Sequence, residues 1–299
     1  MARLHPLSKR INFDIIKFIL INYRVQNWRA FIGIALFPIL DILFANPHLL
    51  AMPSFYVSFV ILLVAISFYL AFAFSVNNCY DISEDILEGD ELKNPIASNL
   101  LPLRIAKLTS YGVAILGTFF VFITIGFNEL FLLYLSLMIV AWAYSAPPIR
   151  LKSKPFFDFL SHSLFFGSLL YVFSYSYIYE TSLLTAFLQP VSIIILIYSM
   201  SLELRNHYED YEYDKASNNK TTVVFLGREN SFGLLIIILV ILWAVMAYYV
   251  YIMVSMYLAV GYLLILILQL LNYRKWGFQR WMRLQDLSAT LTMTLLTIL

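Results

Sequence analysis

Long apolar stretches dominate the chain, near residues 30–50, 55–76, 105–127, 130–146, 158–179, 183–204, 232–253, 256–273 and 285–299. A bilayer core about 30 Å thick takes roughly 20 apolar residues as one helix, so each stretch predicts a membrane span. Phe232 to Asn272 contains no charge and no proline. As one helix it would be about 60 Å long, twice the hydrocarbon thickness, and a tight turn near Ser255 is therefore expected. The ninth stretch is short for a span. Ahead of the first, Ile11, Ile15, Ile16, Phe18 and Ile19 alternate with Asn12, Asp14 and Lys17. This pattern predicts a helix lying in the membrane interface within residues 1–29, with no cleavable leader. The expected fold is all-α, a polytopic membrane helical bundle of about nine transmembrane helices forming one domain over residues 1–299.

Composition agrees with that pattern. The chain is 61% hydrophobic and only 13% charged, with a mean hydropathy of +0.79. A water-soluble domain is excluded. No nucleic-acid partner is expected, and the lipid bilayer is the first partner. Cys79 is the single cysteine, which excludes an internal disulfide and reads as helix filler. All 20 Lys and Arg lie in the N-terminal segment or in alternate connections, at Lys93 to Lys107, Arg150 to Lys154, Arg205 to Arg228 and Arg274 to Arg283. The opposite connections, near Asn46 to Met52, Asn128, Glu180 to Ser182 and Ser255, have none. The positive-inside rule then makes the N-terminus cytoplasmic.

The acids are as unevenly placed. Asn77, Asp81 and Asp85 stand four apart where the second stretch ends, and Asn206, Asp210 and Asp214 repeat that register where the sixth ends. Residues four apart share a helix face, so each set forms a polar ladder pointing one way. Converging carboxylates need a cation between them, and hard oxygen ligands suit Mg²⁺ with a phosphate-bearing substrate. Two spans lead to each ladder, which predicts two pseudo-repeated four-helix halves plus one extra helix. For Glu84, Glu88, Glu91, Glu209 and Glu212 a solvated loop face is the simpler reading, and no loop requirement explains the matched registers.

Lys93, Arg150, Lys152 and Lys220 lie in the same cytoplasmic connections and are candidates to hold a diphosphate. Ordinary basic loops account for each of them singly. Pro147 and Pro148 stiffen the loop carrying Arg150 and Lys152. Tyr171, Tyr175, Tyr177 and Tyr179 crowd the fifth span, as packing residues or as rings able to shield a carbocation. Asp158 and His162, four apart, are a possible hydrogen-bonded pair near an acceptor, or a helix-start cap with a polar neighbour. Asp41 is a charge inside the first span.

Two Asn/Asp ladders on the second and sixth spans, with Tyr144-Ser145-Ala146-Pro147-Pro148-Ile149-Arg150-Leu151-Lys152 between them, resemble the UbiA superfamily of intramembrane prenyltransferases. The resemblance covers most of the chain. It implies a helical bundle around an apolar chamber, two Mg²⁺ ions, a prenyl diphosphate donor and a lipophilic acceptor that captures an allylic carbocation. By position it implies metal ligation by Asn77, Asp81 and Asp85 and by Asn206, Asp210 and Asp214. Diphosphate contacts fall to Lys93, Arg150, Lys152 and Lys220, with Arg24 and Asn27 matching a polar pair, and Tyr144 near the reacting carbon. Asn78 and Asn206 stand where many relatives carry Asp, which removes negative charge and predicts weaker metal binding without substrate. Carotenoids, aromatic quinone precursors, ether lipids and tetrapyrroles are acceptors of similar proteins. The segment from Lys154 to Ser161 leans towards carotenoid-elongating members. A UbiA-type cyclase, or a divalent-cation or lipid transporter, remains an alternative, though transport predicts polar groups at depth on both sides.

Overall fold

The computed structural model describes residues 7–89 and 93–298. The basic residues Arg3, Lys9 and Arg10, the interfacial pattern at Ile11 and Asn12, and the acids Glu88, Asp90 and Glu91 belong to residues or side chains outside that description. Among the described residues every regular element is helical: α1 (Leu7–Asn22), α2 (Arg29–Phe44), α3 (Pro53–Tyr80), α4 (Ile82–Glu88), α5 (Leu103–Ile125), α6 (Glu129–Ser145), α7 (Phe157–His162), α8 (Leu169–Tyr179), α9 (Leu183–Phe187), α10 (Pro190–Glu209), α11 (Tyr211–Ala216), α12 (Thr222–Leu226), α13 (Arg228–Met253), α14 (Met256–Trp276) and α15 (Phe278–Ile298).

Helix starts follow local chemistry. Pro53 and Pro190 open α3 and α10, where a missing N–H costs nothing. Asn128 Oδ1 accepts from Phe131 N at 3.1 Å to cap α6. Ser255 Oγ accepts from Leu258 N at 3.2 Å, which sets the turn expected between α13 and α14. The apolar stretch 183–204 is broken before Pro190, because α9 ends at Phe187 and α10 then runs on to Glu209.

All nine apolar stretches are helical. Among the described residues, five helices are long and apolar enough by themselves to span a membrane, or six if the pair Asp14–Asn27 and Arg29–Phe44, bent by 56°, makes one span. The others fall short for physical reasons. α6 has 17 residues, α10 carries Glu203, Arg205 and His207, and α15 carries Arg280, Arg283 and Asp286. A helix, α1, does precede the first span, and the chain bends by 56° between it and α2.

Two large hydrophobic cores divide the bundle, beside a small cluster of Cys79, Ile96, Leu101 and Ala106. One gathers Leu62, Tyr69, Tyr134, Leu137, Phe165 and Phe173 around α3, α6 and α8. The other gathers Ile194, Leu239, Trp243, Met246, Trp281 and Met293 around α10, α13 and α15. α2 packs against both α8 and α15, which joins the halves. α5 and α14 sit at the periphery and expose Ile115, Phe119, Ile123, Leu264, Ile267 and Leu271, side chains suited to lipid. α4 packs against α11, bringing the two ladder ends together.

Candidate active site

Each ladder straddles a helix break. Asp81 ends α3 and precedes α4, with φ −106° and ψ 17°; Asp210 ends α10 and precedes α11, with φ −89° and ψ 9°. The backbone keeps its i to i−4 bonds through both breaks. Asp81 N reaches Asn77 O at 3.1 Å and Asp85 N reaches Asp81 O at 2.8 Å, while Asp210 N and Asp214 N each make the matching bond at 2.9 Å. The three rungs therefore stay on one face despite the interruption. All six rungs line one cavity of about 1050 Å³.

Cations cover the first ladder. Lys152 Nζ is paired with Asp81 Oδ1. Arg150 Nη2 lies 2.5 Å from Glu84 Oε1 and 3.7 Å from Asp81 Oδ1, and Arg24 Nη2 lies 3.5 Å from Asp85 Oδ2. Asn94 donates to Asp85 Oδ2 at 2.6 Å. The Arg150 backbone is left-handed, φ 42°, and its side chain also donates to Tyr80 O at 3.1 Å, so the Pro147–Pro148 loop is tied directly to the ladder break.

Neutral donors cover the second. Asn219 Nδ2 and Thr221 Oγ1 donate to Asp214 at 3.0 and 3.1 Å. The two ladder amides are held alike. Asn77 Nδ2 donates to Ser145 Oγ at 3.3 Å and Asn206 Nδ2 to Glu203 Oε2 at 3.2 Å, which leaves each amide oxygen to accept a cation.

Charge states follow from these neighbours. Burial raises Asp210, and the Asp214 carboxylate beside it adds to the effect, pushing it up to about 6. Burial also raises Asp214, against the field of His207 and the bonds from Asn219 and Thr221. Burial raises Asp85 despite Arg24. Burial acts the same way on Glu84, but Lys152 and Arg150 outweigh it and hold that carboxyl below its ordinary value.

Beneath the ladders the cavity turns apolar, with Phe31, Phe74, Phe165 and Phe166 among its lining. Phe166 lies 4.5 Å from both Phe31 and Phe165 by ring centroids. Tyr144 marks the boundary, its hydroxyl donating to Glu203 Oε1 at 2.6 Å. Arg24, Asn27 and Lys152 also line the cavity. Lys93 and Lys220 are exposed and stand apart from that lining, and Arg150 reaches the site through Asp81 and Glu84. Asn78 is buried and donates to Asn22 O at 3.0 Å, a tether between α3 and α1.

Asp158 and His162 do not pair as their spacing predicts. Asp158 accepts from Thr222 N at 2.5 Å and lies 3.3 Å from His207 Nδ1, whereas His162 Nδ1 faces Glu203 Oε2 at 3.6 Å. Sequence reasoning gave no role to Glu203, His207, Asn94, Asn219 or Thr221. A carboxylate inside an apolar helix was the available signal for Glu203; the others are neighbours in space alone.

Comparison with known proteins agrees with this architecture. A UbiA homolog from Archaeoglobus fulgidus bound to GPP and Mg²⁺ superposes with a TM-score of 0.66 at 22% identity, over 94% of this chain and 99% of that one. The same homolog bound to DMAPP and Mg²⁺ gives 0.65 at 21%, over 94% and 98%. Digeranylgeranylglyceryl phosphate synthase gives 0.67 at 15%, over 95% and 97%. No curated protein sequence matches the chain. The sequence profile of the UbiA prenyltransferase family matches residues 34–296. With both ladders, the intervening loop and the fold in place, the chain belongs to the UbiA prenyltransferase family.

Proposed function

We propose that this protein transfers a prenyl group from a prenyl diphosphate to a lipophilic acceptor within the bilayer, with two Mg²⁺ ions bound alongside the diphosphate. One observation carries the reading: both ladders face a single cavity whose floor is aromatic. The donor set fits the metal, since Asn77, Asp81 and Asp85 on one side and Asn206, Asp210 and Asp214 on the other offer only hard oxygens. Among the described residues no three His, Cys, Asp or Glu side chains converge to hold an ion by themselves, and diphosphate oxygens would supply further ligands to ions held by the ladders. Bound there, Mg²⁺ neutralises the diphosphate and makes it a better leaving group. The A. fulgidus homolog, bound to GPP or DMAPP with Mg²⁺, supports the assignment.

The chain's own residues divide the remaining work. Lys152, Arg150 and Arg24 exchange carboxylate partners for diphosphate oxygens and stabilise charge as it departs. Tyr144, pinned by Glu203, presents its ring to the reacting carbon. The phenylalanines below exclude water and offer ring faces to an allylic carbocation. Lys93 and Lys220 take no part in this reading. Residues 1–299 act as one unit, with the N-terminus and ladder loops on the cytoplasmic side, as the basic residues favour. The acceptor is a carotenoid, an aromatic quinone precursor or an ether lipid. The segment from Lys154 to Ser161 does not line the cavity, so its likeness to carotenoid-elongating members selects no acceptor by direct contact.

The test is turnover of radiolabelled geranylgeranyl diphosphate by purified protein with a panel of these acceptors, with and without Mg²⁺. A Mg²⁺-dependent prenylated product is expected. A cyclised product without acceptor would reassign the chain as a cyclase, and diphosphate-independent cation flux in liposomes would reassign it as a transporter.

A further inference from the structure

His162 is a cavity-lining group that the reading above leaves without work. It ends α7, where the chain passes through a π-type turn over Ser163–Ser168, kinked at Gly167 (φ −110°, ψ −105°), before α8 resumes. Such turns are uncommon and cluster at functional sites. This one is anchored on three sides. Tyr69 Oη donates to Phe165 O at 2.6 Å and Ser168 Oγ meets Ser192 Oγ at 2.8 Å. Gly167 sits so close to α10 that a Cβ there would lie 2.6 Å from Ser199 Oγ. The widened turn thereby fixes where the His162 ring points.

The ring stands at the boundary between the polar roof and the aromatic floor. Its centroid lies 5.8 Å from Tyr144, 5.7 Å from Phe165 and 5.2 Å from Phe166. Nδ1 is buried without a hydrogen-bond partner of good geometry, aimed at Glu203 Oε2 3.6 Å away. Glu203 is itself held by Tyr144 at 2.6 Å and Asn206 at 3.2 Å. With Nδ1 turned to a fixed carboxylate and the side chain still 17% exposed, Nε2 is the nitrogen left for the cavity. A base oriented through its other nitrogen by a buried carboxylate is the logic of a general-base pair.

We propose that His162 Nε2 is the base that takes the proton from the acceptor, with Glu203 as its positioning residue. The inference rests on the proposed prenyl transfer and specifies the acceptor class, a nucleophilic carbon or oxygen that must lose a proton on capture. The donor C1–O bond breaks with its electron pair leaving on diphosphate. An acceptor electron pair forms the new bond to C1, and the acceptor proton passes to Nε2, giving an imidazolium beside the Glu203 carboxylate. The proton then returns to solvent through the cavity, so donor and acceptor–H become prenylated acceptor, diphosphate and a proton. The charged and titratable groups facing the ring are Glu203 and His207 from α10 and Tyr144 from α6, with Asp158 one turn away on α7.

The experiment uses the full chain with geranylgeranyl diphosphate, Mg²⁺ and an acceptor that the wild type prenylates, measuring diphosphate release and prenyl transfer separately. In His162→Gln and His162→Ala, diphosphate release should stay within about threefold while transfer falls about 10²-fold or more, the missing carbon appearing as prenyl alcohol. Glu203→Gln should lower transfer and move the acidic limb of its pH profile to lower pH, a shift that mere packing would not produce. Transfer retained by His162→Gln would overturn the proposal, as would equal loss of release and transfer in both variants while their melting temperatures match wild type. No diphosphate release by the wild type would instead bring down the transfer reading on which the inference stands.

Discussion

The two ladders share a register and a backbone break, yet they hold their charge in opposite ways. In the first, Lys152, Arg150 and Arg24 lie against Asp81, Glu84 and Asp85. In the second, Asp214 takes hydrogen bonds from the neutral donors Asn219 and Thr221 within the field of His207, and Asp210 has a carboxylate neighbour that helps push it up to about 6. One ladder is thus in direct ion pairs with Lys and Arg, and the other lies in the field of His207 with no Lys or Arg partner in contact among the described residues. Matched ladders can keep their geometry while dividing the roles, one presenting cations to an anion and the other presenting oxygens without a Lys or Arg partner to a metal.

The largest expected effect treats the ladders as equals. Asp81→Ala and Asp210→Ala should each lower Mg²⁺-dependent turnover by about 10³-fold or more, because each removes a ligand from a shared centre. A variant retaining a tenth of wild-type turnover would break the equivalence. Next, Lys152→Met should lower turnover by about 10²-fold through lost stabilisation of the leaving group, while metal binding without substrate strengthens because Asp81 is released.

Stability should separate the ladders by sign. Without Mg²⁺, Asp81→Asn strands the buried Lys152 and should cost about 3 kcal/mol, lowering the melting temperature. Asp210→Asn removes a repulsion and should raise it. The same asymmetry predicts a pH dependence. Asp210 has a folded-state pKa of about 6, above its ordinary value, so it favours the metal-free fold at low pH and loses that contribution as pH rises through 6. Metal-free protein should therefore melt lower at pH 7 than at pH 5 by an amount that Asp210→Asn reduces, with Asp85 and Asp214, also raised by burial, supplying the remainder. The Mg²⁺ concentration needed for half-maximal turnover should rise as pH falls below 6, since the protonated carboxyl no longer serves a cation. The smallest effect belongs to the last rung. Asn219→Ala should raise that Mg²⁺ requirement only about threefold, because Thr221 still orients Asp214.

Much of this was legible in the sequence because it depends on periodicity. The apolar stretches predict the helices, Phe232 to Asn272 demands the turn that Ser255 caps, and the spacing of four places the rungs of each ladder on one face. The helix breaks at Asp81 and Asp210 were not legible, since nothing in an i, i+4 pattern distinguishes a continuous helix from one that pauses at its middle rung. Nor was the Glu203, His162, His207 and Asp158 network. Spacing favours a local Asp158–His162 pair, but the π-helical turn and the pull of Thr222 on Asp158 hand each residue a partner from another element. α10 and α15 are less apolar than α3 or α13, because they turn polar groups such as Glu203, Asn206, Thr290 and Thr294 to the cavity.

The central claim is that both ladders hold one diphosphate through metal ions. Calorimetric titration of Mg²⁺ into the purified protein, with and without a non-cleavable prenyl diphosphate analogue, addresses it directly. Tight binding of two ions only in the presence of the analogue, lost in Asp81→Ala and in Asp210→Ala alike, is the predicted result. Equal Mg²⁺ binding without the analogue, or analogue binding indifferent to Mg²⁺ and to both substitutions, would contradict it.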